Sequence, residues 1–389
     1  MDKTLQQIDH DYIANTYNRY PVEIVSGKGA IATDETGREY IDMGAGIGVT
    51  SFGYCDPVWQ AAVTAQLGKV QHTSNLYYTE PGALLARELC RRTGLKKAFF
   101  GNSGAEANEC AIKVARKYAA AKKGPDHSTI LTLWNSFHGR TLTTLAATGQ
   151  DHYHELFQPL TPGFQMVHAG DFDEFREACE TRKVAGILLE CIQGEGGVRD
   201  VPAGYLCAVA SYCREHDLVL MVDEVQAGNG RTGKLYSYEH CGIEPDVVTT
   251  AKGLGGGLPI GACLLGDKVQ HVLGAGDHGS TFGGNPVVCA GALSILRRLD
   301  DAFLAQVTAK GERMREVLTG APGITAVTGK GLMVGLQTGK PADQVVQDCL
   351  AGGVLCLTAK DRVRLLPPLN IPDEVLDQAL DVIRAACAG

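Results

Sequence analysis

The sequence has 389 residues and 13 cysteines, yet no two cysteines form a CxxC pair and none has zinc-finger spacing. Neither a metal finger nor a dithiol redox motif is therefore written into it. The cysteines are odd in number, and Cys110, Cys207, Cys263 and Cys289 lie inside apolar runs, which favours buried free thiols in a reducing compartment over disulfides. Basic charge is not in excess. The formal net charge of −8 argues against nucleic acid as a partner. No apolar run approaches the ~20 residues of a membrane span. The start, MDKTLQQIDHDYIANTYNRY, lacks a basic stretch followed by an apolar one, so no leader is expected and the cytoplasm is the expected location. Internal repeats and low-complexity segments are also missing.

What the chain has in quantity is glycine, 48 residues, and apolar side chains, 44%. That combination fits a large α/β core with many tight turns and close approaches to a ligand. Residues 1–20 read as a polar helix or arm. Residues 22–42 alternate and turn at Gly27, Gly29, Asp34 and Gly37, the pattern of a small antiparallel sheet. Beyond a helix over 80–92, strands over 97–100, 129–134, 184–190, 218–222, 247–250 and 261–265 are interspersed with helices over 106–121 and 206–216. This spacing predicts a mostly parallel sheet covered on both faces. Pro286 opens a helix to about 299. The pattern then changes to helices over 303–318, 342–351 and 373–386 with short strands over 324–328, 332–337 and 363–365. The expected organisation is an N-terminal arm and small sheet over 1–45 packing with the C-terminal part, a large α/β domain over 46–285, a linking helix over 286–299, and a small α+β domain over 300–389.

The strongest local signal lies between residues 217 and 265. The run LVLMV ends in Asp223-Glu224, placing a carboxylate at the carboxyl end of a buried strand, where open α/β sheets bind ligands. The run VVTT ends in Ala251-Lys252 before Gly253, Gly255, Gly256 and Gly257. A lysine between a strand end and a glycine tract can be desolvated and still reach a ligand, which favours Schiff-base chemistry over a surface role once Asp223 and a separate anion-binding turn accompany it. That turn is Ser103-Gly104-Ala105 between a strand and a helix. It offers a hydroxyl and unsatisfied N–H groups to a phosphate, although an ordinary serine N-cap has the same form. The GxGxxG and GxxxxGK[ST] forms are not present at this turn.

Other candidates follow the strand ends. Phe137 suits one face of a flat heterocycle, and a core Phe equally. Arg140 suits a carboxylate, and a surface position equally. His138 reads as structural. Glu195, in the loop after Glu190, is either solvated or the movable partner of a buried arginine. Asp223 opposite a pyridine nitrogen would keep that nitrogen protonated and strengthen the ring as an electron sink. Val225 is placed to pack on the ring, and Gln226 to donate to a phenolic oxygen. Asp223 and Glu224 point to opposite faces and should not share one job. Ser280 and Thr281 place two hydroxyls in a glycine-rich turn that suits phosphate, substrate or simple capping. Arg364 sits in an otherwise apolar strand, where a charge needs a partner.

Together, HTSNLYYTEP, NSGAEANE, NSFHGRT, QGEGG, DEVQ, GRTGK, AKGLGGGLPIGA, GSTFGGNP and RLLPPLNI make the chain resemble the class III pyridoxal-phosphate-dependent aminotransferases over nearly its whole length. The resemblance implies fold type I, an α/β architecture whose large domain carries a mostly parallel seven-stranded sheet, plus a small α+β domain. It implies pyridoxal 5'-phosphate bound through Lys252 as an internal aldimine, with Asp223 on the ring nitrogen, Val225 and Phe137 over the ring faces, Gln226 by the hydroxyl and Ser103, Gly104 and Ala105 at the phosphate. Thr281 matches a residue that reaches the partner subunit's phosphate, which implies a homodimer with shared sites, and Ser280 lies beside it near the substrate.

Within the family the motifs are most similar to those of members acting on N2-acetyl-L-ornithine with 2-oxoglutarate, in arginine biosynthesis. Arg140 matches their α-carboxylate arginine, Arg364 the arginine for glutamate's α-carboxylate, and Glu195 the glutamate that neutralises it. Ile47 stands where ornithine-specific members tend to have tyrosine. Two positions depart from the family pattern: Cys191 where proline is usual and Tyr54 where histidine is. Succinyl-diaminopimelate, succinylornithine, ornithine and 4-aminobutyrate are alternative donors. A non-catalytic protein retaining the fold is the alternative of another class, against which the intact Lys252 and Asp223 weigh.

Overall fold

All six apolar runs read as strands in the central region enter one sheet, and a seventh strand joins them at its edge. In the computed structural model, which describes residues 4–389, the sheet order is Lys97–Gly101, Gly261–Leu265, Val247–Thr250, Val219–Asp223, Val184–Leu189, Thr129–Leu133 and Phe164–Val167. Six strands run the same way and Gly261–Leu265 runs against its two neighbours. The cause is local. Only residues 251–260 separate it from Val247–Thr250, and they form no crossover helix, so the chain can only turn back.

Val219–Asp223 is buried along its whole length at the centre of the sheet, as is Val184–Leu189 beside it. This explains their unbroken apolar character. One sheet face packs on Gly104–Lys123, whose Cys110, Ala111, Val114 and Ala115 form a core with Val219, Met221, Val247 and Cys263. The other face, with Leu189, Leu220, Val222 and Val248, joins the larger core that continues to the C-terminal helices.

Two smaller sheets complete the molecule. Ile324–Lys330, Met333–Thr338, Arg362–Leu365 and Leu357–Ala359 form an antiparallel sheet. It is accompanied by helices Asp301–Leu318, Ala342–Ala351 and Asp373–Ala388. The N-terminal strands Ile24–Lys28, Ile31–Asp34 and Glu39–Asp42 form the other sheet, and Val354–Leu355 adds to it in parallel. Gly27 lies inside the first of these strands and not at a turn. A Cβ there would come within 2.6 Å of the Tyr54 ring, so that glycine makes room for the tyrosine.

The next segment, Ala45–Gly48, is a turn of left-handed helix, with φ of 47°, 62°, 64° and 73°. Left-handed backbone costs roughly 1–2 kcal/mol per non-glycine residue, and here it falls on Ala45 and on the β-branched Ile47. Asp42 holds the entry by accepting from the Gly44 and Ala45 N–H groups, both at 2.8 Å. No helix among the described residues is long and apolar enough to cross a membrane.

Candidate active site

The carboxyl ends of the parallel strands converge on a cavity of about 450 Å³. Its walls carry Ser103, Gly104, Ala105, Phe137, Arg140, Asp223, Val225, Gln226 and Lys252, together with Asn108, His138 and Glu190. Ser280, Thr281, Glu195 and Arg364 are not among the lining residues. The last two are joined to the wall through Gln226. A larger cleft of about 930 Å³ runs past Glu88, Lys234, Arg297 and Glu312, but it contains no lysine or carboxylate from a sheet end and takes no part in this chemistry.

Asp223 is 4% exposed and is held on three sides. Asn108 Nδ2 donates to Oδ2 at 2.8 Å, His138 Nδ1 lies 2.8 Å from the same oxygen, and the Val225 N–H donates to Oδ1 at 3.0 Å. Asn108 is itself fixed, accepting from Thr249 Oγ1 at 2.7 Å and donating to the His138 carbonyl at 2.8 Å. Glu224 turns to the opposite side, where one oxygen accepts from Ser237 Oγ at 2.7 Å and from the Tyr238 N–H at 2.9 Å. Adjacent carboxyls thus occupy separate environments, as strand alternation requires.

Lys252 begins a short 3-10 turn in left-handed backbone, φ 43°, directly after Val247–Thr250. Burial lowers its pKa; Glu195 and Asp223 pull the other way, and Arg364 adds to the lowering. A lowered pKa favours the neutral amine, the form that attacks a carbonyl carbon. The glycines after it are tied to the N-terminal segment: Ser51 Oγ donates to the Gly253 carbonyl at 2.9 Å, and Trp59 Nε1 to that of Gly255 at 3.0 Å.

At the other end of the cavity, Ser103 caps helix Gly104–Lys123, its hydroxyl accepting from the Glu106 N–H at 3.2 Å. Gly104 and Ala105 line the cavity at this helix start. Gly104 has no room for a side chain, since a Cβ would lie 2.7 Å from Val225 Cγ1. The close approach brings Val225 and the helix start to the same wall. Phe137 stands opposite, its backbone N–H donating to Glu190 Oε2 at 3.0 Å. Burial raises the Glu190 pKa well above the ordinary carboxylate range, and the Asp223 charge raises it further.

Outside this wall, Arg364 is 3% exposed and its NH1 meets Glu195 Oε1 at 2.6 Å. Gln226 bridges them, its Oε1 accepting from Arg364 at 3.0 Å and its Nε2 lying 3.4 Å from Glu195. Burial would raise the Glu195 pKa, but the charge and hydrogen bond of Arg364 bring it below the usual carboxylate value. Arg140 has no such partner among the described residues. Its guanidinium lies over the Tyr153 ring at 4.2 Å and the Phe137 ring at 5.6 Å. Ser280 Oγ accepts from Asn102 Nδ2 at 3.1 Å and from the Gly283 N–H at 3.0 Å, while Thr281 is exposed.

Two residues escaped the sequence reading altogether. Asn108 had a signal, a polar side chain among the buried Ala107, Cys110 and Ala111 of one helical face. Tyr153 had none, because only the fold brings residues 151–153 against Phe137. His138, readable from the sequence only as a possible structural residue, lies beside Asp223, with its Nε2 left without a hydrogen-bond partner among the described residues.

A lysine and a braced carboxylate at the strand ends of a mostly parallel seven-stranded sheet are consistent with a fold type I transferase. The chain belongs to the aminotransferase class-III family, whose model matches residues 12–387. Among curated relatives, the acetylornithine aminotransferase of Haemophilus ducreyi is 49% identical over 381 residues, covering 97% of each chain. Among solved structures, the N-acetylornithine aminotransferase of Stenotrophomonas maltophilia K279a is 37% identical with a TM-score of 0.86, over 99% of this chain and 98% of that one. The ornithine aminotransferase of Toxoplasma gondii, crystallised with pyridoxal phosphate at partial occupancy, is 33% identical with a TM-score of 0.93, over 98% and 93%.

Proposed function

We propose that this enzyme transfers the terminal amino group of N2-acetyl-L-ornithine to 2-oxoglutarate, giving N-acetyl-L-glutamate 5-semialdehyde and L-glutamate, with pyridoxal 5'-phosphate as cofactor. The cavity suits that cofactor on its own terms. Gly104 and Ala105 offer backbone N–H groups at a helix start to a phosphate, and Ser103 stands beside them. Asp223, with its three donors, faces the place of a ring nitrogen, Val225 and Phe137 flank a flat ring, and Lys252 has an amine free to bond. When bound, the cofactor supplies an aldehyde carbon and an electron-withdrawing ring. Asp223 keeps a proton on the ring nitrogen. With its amine freed by the donor's, Lys252 Nζ would take a proton from the carbon that carried the donor's amine and return it to the cofactor's aldehyde carbon on the other side of the nitrogen. In the second half-reaction the same nitrogen moves a proton in reverse, to the α-carbon of the forming glutamate.

The observation that carries the substrate reading is the unequal state of two arginines. Arg140, at the cavity, has no ion-pair partner among the described residues, while Arg364 is neutralised by Glu195 at 2.6 Å. A donor with an acylated, uncharged side arm uses the first and leaves the second pair closed. 2-Oxoglutarate carries a second carboxylate and needs Glu195 to swing away from Arg364. We further propose a homodimer in the cytoplasm, with Thr281 reaching the phosphate bound by the partner subunit.

The test is a panel of half-reactions on purified, cofactor-loaded protein, with N-acetylornithine, succinylornithine, succinyl-diaminopimelate, ornithine and 4-aminobutyrate. The expected result is the highest kcat/KM for N-acetylornithine. A higher value for another donor overturns the substrate. A colourless protein that cannot be reconstituted overturns the cofactor.

A further inference from the structure

Arg140 poses a physical problem that the proposed substrate does not solve. It is an exposed, flexible cation at the mouth of the cavity, and holding such a side chain ready for a carboxylate costs rotamer freedom. The structure contains a device for this. The Arg140 guanidinium lies 4.2 Å from the Tyr153 ring centroid, and that ring meets Phe137 edge-on at 5.8 Å.

The short turn Asp151–Tyr153 is itself fastened to the loop that carries Phe137 and Arg140. Gln150 Nε2 donates to the Ser136 carbonyl at 3.0 Å, the Gly149 N–H to Ser136 Oγ at 3.1 Å, and the Asn135 N–H to the Gly149 carbonyl at 2.8 Å. His152 packs on Tyr153 with ring centroids 3.9 Å apart. The Tyr153 ring is therefore a fixed platform.

We propose that Tyr153 is a specificity-determining positioning residue, holding the Arg140 guanidinium by its face so that its edge is presented to the α-carboxylate of the acylated donor. The geometry has a chemical logic. A ring under the guanidinium attracts it through the ring's negative face and engages none of its N–H groups. Those lie in the guanidinium plane and stay available for a paired, charge-assisted contact with a carboxylate. Arg364 takes one carboxylate of the dicarboxylic partner and leaves the other for Arg140, so the platform acts in both half-reactions and most strongly where Arg140 is the only arginine engaged.

This inference rests on the donor reading above, and the experiment separates the two. In Tyr153→Leu, which keeps bulk but has no ring, KM for N-acetylornithine is expected to rise about tenfold, or ~1.4 kcal/mol, with kcat within about twofold. KM in the glutamate half-reaction is expected to rise by less, because Arg364 holds the other carboxylate, and Tyr153→Phe is expected to keep the wild-type KM. The second measurement needs no turnover: calorimetric binding of N-acetyl-L-norvaline, which keeps the α-carboxylate and the acylated nitrogen and has no terminal amine. Its affinity should fall by the same factor in Tyr153→Leu, and that fall should vanish in an Arg140→Ala background. A loss that falls on kcat and not on KM, failure of Phe to rescue, or an effect that persists without Arg140 overturns the proposal. If wild type does not turn over N-acetylornithine but the norvaline cycle shows the coupling, only the substrate reading falls.

Discussion

Lys252 and Arg364 are both charged residues taken out of water, and they are resolved in opposite ways. Lys252 has no ion pair among the described residues, and burial lowers its pKa. Lys252→Ala should abolish transamination while the protein still binds the cofactor, now without a covalent link. Borohydride treatment followed by mass measurement checks this: wild type should retain the cofactor mass and the variant should not. Arg364 keeps its charge through Glu195. Arg364→Ala leaves Glu195, 22% exposed, without its counter-ion, so the cost should fall below the roughly 3–5 kcal/mol of a fully buried broken pair. The glutamate half-reaction should be lost by at least a hundredfold while that of N-acetylornithine is largely kept. Equal losses in single-turnover rates would refute a switch.

These two residues were legible in the sequence because each is a chemical contradiction, a lysine before a glycine tract and an arginine in an apolar strand. Asp223 was legible for a similar reason. Its supports were less so: Asn108 and His138 come from a helix and a loop 115 and 85 residues away along the chain, and no local pattern announces their meeting.

At the scale of elements, the hydrophobic runs predicted six of the seven strands of the large sheet to within a residue or two. The seventh, Phe164–Val167, has four residues, three of them only half-buried, at the sheet edge. With one neighbour instead of two it needs no long apolar run, so it carried little signal. Helix Phe172–Thr181 after it was also unread. The left-handed turn Ala45–Gly48 was invisible for another reason: Ile47 contradicts the local preference, and Asp42 and the packing around it impose the conformation. Similar close packing gives a prediction at Gly104. An alanine there would press on Val225 at 2.7 Å, so Gly104→Ala should push the helix start from the cavity wall and weaken cofactor binding about tenfold or more, read by absorbance titration of the apo-protein.

Glu224 links the same strand end to the segment over 237–240. Burial raises its carboxyl from the ordinary 4.5 to about 7, against the hydrogen bonds of Ser237 and Tyr238. The folded chain thus keeps a proton that the unfolded chain releases, a contribution fully present below about 4.5 and lost as pH rises through about 7. Its size is on the order of 3 kcal/mol. Urea unfolding of apo-protein at pH 5 and pH 8 should show wild type losing more stability than Glu224→Gln over that interval. Equal losses would mean that Glu224 is ionised throughout.

At the scale of the whole molecule, one chain exposes a group of large apolar side chains beside the 280–283 turn. Thr281 is exposed and outside its own cavity, and around it lie Leu76, Tyr77, Tyr78 and Phe282, large side chains that are mostly in solvent. They form one patch, because Asn75 Nδ2 donates to the carbonyls of Ser280 at 3.0 Å and Gly283 at 2.9 Å, pinning the 72–78 run beside the 280–283 turn. An apolar patch rimmed by polar groups marks a contact surface. If a second copy covers it, assembly and cofactor affinity are linked, since the same surface delivers Thr281. The double variant Leu76→Asp, Tyr78→Asp puts charges into that surface while touching no cavity-lining residue. It should sediment as a monomer and lose about tenfold in cofactor affinity. Thr281→Ala should reproduce much of the affinity loss while remaining a dimer. A monomeric double variant that bound the cofactor as wild type does would show that each chain completes its own phosphate site.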